Sequence, residues 1–265
     1  MLKGSSKKIR QALLVDAHAS AAPWSASRAV IGVVLAFFLS QSIGSIALMV
    51  YPQLMGWDQL RIDEWISKSA GAQFTYVLIT EGLTLLILWL FWRKYKAQKV
   101  RETLGLHRMP YWKDIGHAIL GVLAYFALYM VFFGIINALV PVDTTQDQAV
   151  GFDHAQDGAL VMAFISLVIL PPIVEEITFR GFLFSGLKRR YGVVAGSILT
   201  SLLFAAPHLL TGENSLLWVA AIDTFVLSLV LCYLRQKTGS LYAPMVVHAL
   251  KNSIAFLALF VFVGK

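Results

Sequence analysis

Long apolar runs separated by short polar connections dominate this chain, and each run is close to the roughly 20 residues that an α-helix needs to cross a bilayer. The predicted spans are 29–51, 74–92, 115–140, 160–187, 193–210, 216–234 and 241–263. Pro171 and Pro172 lie in the fourth run. Because proline lacks a backbone N–H, we expect them to break or kink that run, which would then count as two helices. The pattern predicts an all-α polytopic membrane bundle with seven or eight transmembrane helices.

Composition agrees with this interpretation. The chain of 265 residues is 58% hydrophobic and only 14% charged, with a mean hydropathy of +0.70. A soluble domain of this size could not cover so much apolar surface, so a soluble nucleic-acid binder is excluded despite the net charge of +7. The single cysteine excludes an intrachain disulfide framework. The predicted partners are membrane lipid and a membrane-associated substrate, with no nucleic acid.

The charges of the connections predict an orientation. Basic residues are concentrated in 93–113, 188–190 and 235–237, whereas 141–158 holds four aspartates and no lysine or arginine. Cytoplasmic connections of membrane proteins carry the excess of Lys and Arg, so the basic connections should be cytoplasmic and the acidic one external. The basic tail at 1–28 should therefore also be cytoplasmic.

Two adjacent glutamates, Glu175 and Glu176, lie inside the fourth run. Ionisable side chains within a membrane are expensive and therefore indicate function. Arg180 follows Glu176 by four residues, so the two share a helix face and can form a structural ion pair. Glu175 is rotated by about 100° from Glu176, which leaves its carboxylate available as a general base for water.

Two later runs carry polar residues at the same spacing. Phe204 precedes His208 by four residues, and His248 precedes Asn252 by four. Each pair alone also fits a structural role, since polar side chains commonly bridge transmembrane helices. An amide such as Asn252 is also able to donate to a developing oxyanion. At a rise of about 1.5 Å per residue, these groups and Glu175 all fall within a core about 30 Å thick, so they are able to meet.

Together these clusters match the motifs E-E-x-x-x-R, F-x-x-x-H and H-x-x-x-N in order and spacing. From about 160 to 262 the chain resembles the CAAX protease and bacteriocin-processing family, also called CPBP or Abi, whose members are intramembrane endopeptidases. The resemblance divides the chain into three parts: the tail 1–28, the N-terminal transmembrane helices and loops 29–158, and a CPBP-like catalytic membrane core 159–265.

The resemblance also implies a role for each motif position. The six implied site residues are Glu175, Glu176, Arg180, His208, His248 and Asn252. Glu175 and His208 would activate the attacking water. His248 and Asn252 would stabilise the oxyanion. The pair of Glu176 and Arg180 would support the site.

Zinc is a candidate cofactor. Glu175, His208 and His248 would form a set of two histidines and one carboxylate with an open position for water. The sequence has no H-E-x-x-H helix, however, and the three ligands would come from separate elements. We therefore favour a water activated by glutamate and histidine without an obligatory metal.

The expected function is hydrolysis of a peptide bond in a membrane-associated or lipidated protein or peptide, of CAAX type or bacteriocin-leader type, in a bacterial inner membrane. One alternative is a non-catalytic scaffold or bacteriocin-immunity protein of the same fold. Another is an ion-coupled transporter in which Glu81, Glu175 and Asp223 line a path, although the sequence shows no internal repeat. For Glu81 and Asp223 we prefer interhelical hydrogen bonding or a silent protonated carboxyl.

Overall fold

A computed structural model describes residues 22–139, 157–210 and 216–262. These residues form helices and no strand, so the all-α prediction is confirmed. The α-helices are α1 (Ala26–Leu54), α2 (Gln59–Lys68), α3 (Ala70–Trp92), α4 (Ala97–Leu104), α5 (Trp112–Leu139), α6 (Asp157–Phe164), α7 (Leu170–Glu175), α8 (Phe184–Leu209), α9 (Trp218–Thr238) and α10 (Tyr242–Phe256). Three π-helical segments join or extend them: Ile165–Ile169, Glu176–Leu183 and Leu257–Phe262.

The protein is an integral membrane protein. Within the described ranges, six helical runs are long and apolar enough to cross a membrane: Ala26–Leu54, Ala70–Trp92, Trp112–Leu139, Ala159–Leu209, Trp218–Thr238 and Tyr242–Phe262. The run Ala159–Leu209 has 51 residues, about 75 Å of helix, which is enough to cross twice. The predicted spans 160–187 and 193–210 are its two parts, so each predicted span has a counterpart.

The interruption of this long run differs from the prediction. Pro171 and Pro172 do not end the helix, because a π-helical segment, Ile165–Ile169, precedes them and they occupy the first turn of α7. Neither proline has an N–H to give to the carbonyl of Leu167, which accepts from Asn252 at 2.9 Å instead. The run leaves helical geometry instead at Gly192, whose φ of 80° favours a residue without Cβ.

Two short helices lie in connections that the hydrophobic pattern did not mark. One of them, α4, lies in the basic connection 93–113 and is fixed to the core by the carbonyl of Thr103. Arg235 donates to this carbonyl at 2.7 Å and Ser185 donates to it at 3.1 Å. The connection thus packs beneath the π-helical segment that carries Glu176.

The predicted tail 1–28 and acidic connection 141–158 fall mostly on residues outside those described, and the predicted orientation stays a prediction. The last residues of that tail, however, belong to the folded protein. Trp24 is fully buried and donates from Nε1 to the carbonyl of Phe182 at 3.0 Å. The first span also begins earlier than predicted, at Ala26, where Ser25 caps the helix by accepting from the N–H of Arg28.

Candidate active site

A fully buried ion pair forms the base of the site. Arg180 Nη1 donates to Glu176 Oε1 at 2.8 Å, and neither side chain is exposed. The guanidinium lies 4.4 Å over the ring of Phe204. Since an isolated charge in a low-dielectric interior is costly, the two groups depend on each other, which agrees with the supporting role expected for this pair.

His248 joins the two glutamates. Its Nδ1 lies 2.9 Å from Glu176 Oε1, and its Nε2 lies 3.6 Å from Glu175 Oε2. Because a carboxylate only accepts, Nδ1–H donates to Glu176, and this bond fixes the orientation of the ring. The result is a continuous series from Arg180 through Glu176 and His248 to Glu175.

The remaining predicted residues are held by backbone carbonyls. His208 Nδ1 donates to the carbonyl of Phe204 at 3.0 Å, and Asn252 Nδ2 donates to the carbonyl of Leu167 at 2.9 Å. Phe204 packs between the histidines, with centroid distances of 5.3 Å to His208 and 5.8 Å to His248. An amide nitrogen carries two hydrogens, so Asn252 keeps one N–H for another acceptor.

Four of the six predicted residues line one cavity of about 620 Å³. They are Glu175, His208, His248 and Asn252, whereas Glu176 and Arg180 are buried behind them. The other walls are largely apolar and come from α5, α7, α9, α10 and the π-helical segments Ile165–Ile169 and Leu257–Phe262. An apolar cavity with a few convergent polar groups is typical of a binding site and is wide enough for a short extended peptide.

A polar cluster opposite Glu175 was not predicted as part of the site. Lys251 Nζ lies 2.7 Å from Asp223 Oδ2, and Tyr125 donates its hydroxyl to Asp223 Oδ1. All three line the large cavity. Asp223 therefore makes the interhelical hydrogen bonds that we preferred for it. The sequence signal that would have found Lys251 is its position inside an apolar run, where a lysine is as costly as a glutamate.

The candidate zinc ligands Glu175, His208 and His248 are not arranged as a metal site in this structure. Among the described residues no three His, Cys, Asp or Glu side chains are grouped so that they could hold one ion. Glu175 and His248 approach each other, but Nδ1 of His208 is bonded to the carbonyl of Phe204. Zinc stays a candidate cofactor, and the chemistry below is derived from the side chains alone.

Comparison with known proteins agrees with the predicted resemblance. Residues 157–254 match the model of a family described as type II CAAX prenyl endopeptidase, Rce1-like, and this range contains all six predicted site residues. The resemblance is thus confirmed over this part of the chain. It indicates a CAAX-type intramembrane protease family, that is, a class of membrane hydrolases.

Two relatives from bacteria are also similar. An "Uncharacterized 24.3 kDa protein" of Escherichia coli is 29% identical over 100 residues, which cover 37% of this chain and 44% of that protein. The "Uncharacterized protein YyaK" of Bacillus subtilis (strain 168) is 27% identical over 180 residues, 66% of this chain and 56% of that protein. The chain therefore spans about half the length of these relatives. No solved structure matches it.

Proposed function

We propose that the protein is an intramembrane endopeptidase that hydrolyses a peptide bond in a membrane-associated or lipidated protein or peptide, of CAAX type or bacteriocin-leader type. One observation carries the proposal. The buried pair of Arg180 and Glu176 holds His248 against Glu175 at the wall of a cavity of about 620 Å³. A carboxylate and an imidazole oriented in this way are suited to general acid–base chemistry.

The first step is attack by water on the substrate carbonyl. With the peptide in the large cavity, Glu175 takes one proton from a water molecule, and the oxygen of that water forms a bond to the carbonyl carbon. His208 lies on the same wall of the cavity and orients the water. Glu175 is the base because its side chain is 27% exposed, whereas Glu176 is fully buried.

The oxyanion that forms needs hydrogen-bond donors in a dry site. Asn252 keeps one amide N–H for it, and His248, whose Nδ1 donates to Glu176, is the second group that stabilises it from the same wall. In the second step the oxyanion collapses and the C–N bond breaks. Glu175 gives its proton to the leaving amine, and the products are a carboxylic acid and an amine.

The proposed location is a bacterial inner membrane with a cytoplasmic N-terminus. Two observations support it: the excess of basic residues in alternate connections and the bacterial origin of both relatives. The substrate would reach Glu175 from the bilayer or from the adjoining aqueous face, because the cavity is walled by transmembrane helices.

The test is cleavage of a membrane-tethered peptide library by purified protein, with and without a chelator. Glu175→Gln should lower kcat by about 10²- to 10⁴-fold, since it removes the base and changes the shape very little. The matched control is Glu64→Gln, which alters an exposed carboxylate outside the spans and should leave kcat unchanged. Activity lost to chelator and restored by zinc would make the site metallic. A folded wild type that cleaves nothing would overturn the proposal in favour of a scaffold or immunity protein.

A further inference from the structure

A second cavity of about 100 Å³ lies on the other side of Glu175 and His208. These two residues line both cavities and therefore form the wall between them. The far side of the small cavity is lined by α1 and α3, which contribute Ser40 and Glu81. The helices α1 and α3, which lie outside the matched range 157–254, thus share a cavity with the candidate base Glu175.

Glu81 makes no hydrogen bond and no ion pair with any other residue that the structure describes. A carboxyl group inside a membrane protein that lacks a protein partner is satisfied by water or is strongly destabilising. Hydroxyl groups extend the polar surface beside it, since Thr84 Oγ1 donates to Ser40 Oγ at 3.1 Å and both line the same cavity. A volume of about 100 Å³ with several polar partners is enough for a few ordered water molecules.

The two cavities differ in what they are able to hold. The large one, of about 620 Å³, has room for a short peptide, which would contact Glu175, His208 and His248 there. The small one, of about 100 Å³, is too small for a peptide, and the same two residues line it. Water that enters from the small cavity therefore meets the base without displacing the substrate.

We infer that the small cavity stores and supplies the attacking water, with Glu81 as a positioning residue that keeps this water next to Glu175. This role rests on the proposed endopeptidase function. It assigns Glu81 to hydrolysis and not to substrate binding. It also gives the N-terminal helices a part in the reaction.

The kinetic test uses Glu81→Leu and Thr84→Val, which replace the polar lining by apolar groups of similar size. Each should lower kcat at least about ten-fold with an unchanged KM, because the water is lost and the substrate cavity is not altered. Glu81→Gln, which still binds water, should restore most of the rate. The matched control is Thr75→Val on the same helix, whose exposed hydroxyl donates to Gly71.

A thiol test measures hydration without measuring cleavage. Cys232 is the single cysteine and is buried, so a Cys232→Ala background is free of thiols. Silver ion reacts with hydrated thiols; Thr84→Cys should react, and Leu86→Cys, on the exposed apolar face of the same helix, should not. An unreactive thiol at position 84 would overturn the inference whatever the cleavage assay gives.

The two tests separate this inference from the proposed function. Wild type that cleaves while Glu81→Leu and Thr84→Val keep full kcat would overturn the water supply and leave the endopeptidase standing. Wild type that cleaves nothing would overturn the endopeptidase and, with it, this role for Glu81. Loss of kcat in both variants together with silver reactivity at position 84 would support both.

Discussion

The helices of the site and the helices around them are built differently. In the most apolar 18-residue stretch of α9, half of the residues are buried inside the protein. In the corresponding stretches of α3 and α5, 11% of the residues are buried. The region from 157 onward buries Glu176, Arg180, Arg235 and His248, whereas among the described residues before it Asp114 is the buried charged side chain. Because lipid tails are as apolar as the helices, the hydrophobic effect does little to drive helix association in a membrane. Charged side chains, in contrast, have to be shielded from lipid by other parts of the protein. The contrast teaches that buried charge, more than apolar burial, separates the two regions, since the run Tyr242–Phe262 that carries His248 has 17% of its most apolar stretch buried and α1 has 28%.

The largest expected effect is at the buried ion pair. Arg180→Met should lower the free energy of unfolding by about 3 to 5 kcal/mol, because it leaves Glu176 charged and buried with one partner fewer. The same change at the exposed Arg101 in α4 should have an effect within about 0.5 kcal/mol. Thermal unfolding in detergent measures both. Equal effects at the two positions would contradict the contrast between the regions.

A close helix contact should give the next effect. A Cβ at Gly121 of α5 would lie 2.8 Å from side-chain atoms of Leu234 and Val247. Gly121→Val should therefore cost about 1 to 3 kcal/mol through overpacking. Gly116→Val, on the same helix with nothing within 4 Å of its Cβ, is the matched control and should be close to neutral. If both variants unfold at the wild-type temperature, α5 does not depend on this contact.

The polar cluster across the cavity should give an effect of similar size that is coupled between two residues. Asp223→Asn removes a charge-assisted bond to Lys251 and should cost about 1.5 to 3 kcal/mol. In the double variant with Lys251→Met the loss should be less than the sum of the two single losses, since the unpaired charge is gone. A double-mutant cycle on unfolding in detergent measures the coupling. Strictly additive losses would show that the two side chains do not interact.

The smallest effect is expected at an exposed pair outside the spans. Lys68 Nζ lies 2.9 Å from Glu64 Oε1, with side-chain exposures of 57% and 64%. The hydrogen bond and the charge of Lys68 hold the pKa of Glu64 below its usual value of 4.5. Any stabilisation is then present above that value and is lost as the pH falls through the lowered pKa. Because water screens the pair, Lys68→Ala should leave the unfolding temperature unchanged at pH 7, and a clear decrease would contradict this.

The spans illustrate how far hydrophobic periodicity predicts this fold. The runs 74–92 and 115–140 became Ala70–Trp92 and Trp112–Leu139, with shifts of a few residues at the ends. The helices α2 and α4 were not predicted, because they are short and contain no long apolar run. The π-helical segment Ile165–Ile169 before Pro171 and Pro172 was not predicted, because no periodicity signals it.

The sequence by itself determined the class of this protein, its spans and the identity of six candidate site residues. The class and the spans depend on local quantities, namely the length of an apolar run and the cost of a charge in lipid. The six residues depend on a spacing of four that places two side chains on one face, together with the resemblance of the combined motifs to a known family. Only the tertiary structure decided that His248 lies between Glu175 and Glu176, that Lys251 faces Asp223 and that Glu81 shares a cavity with Glu175. Residues far apart in the chain come together through helix packing, and spacing along the chain carries no information about it.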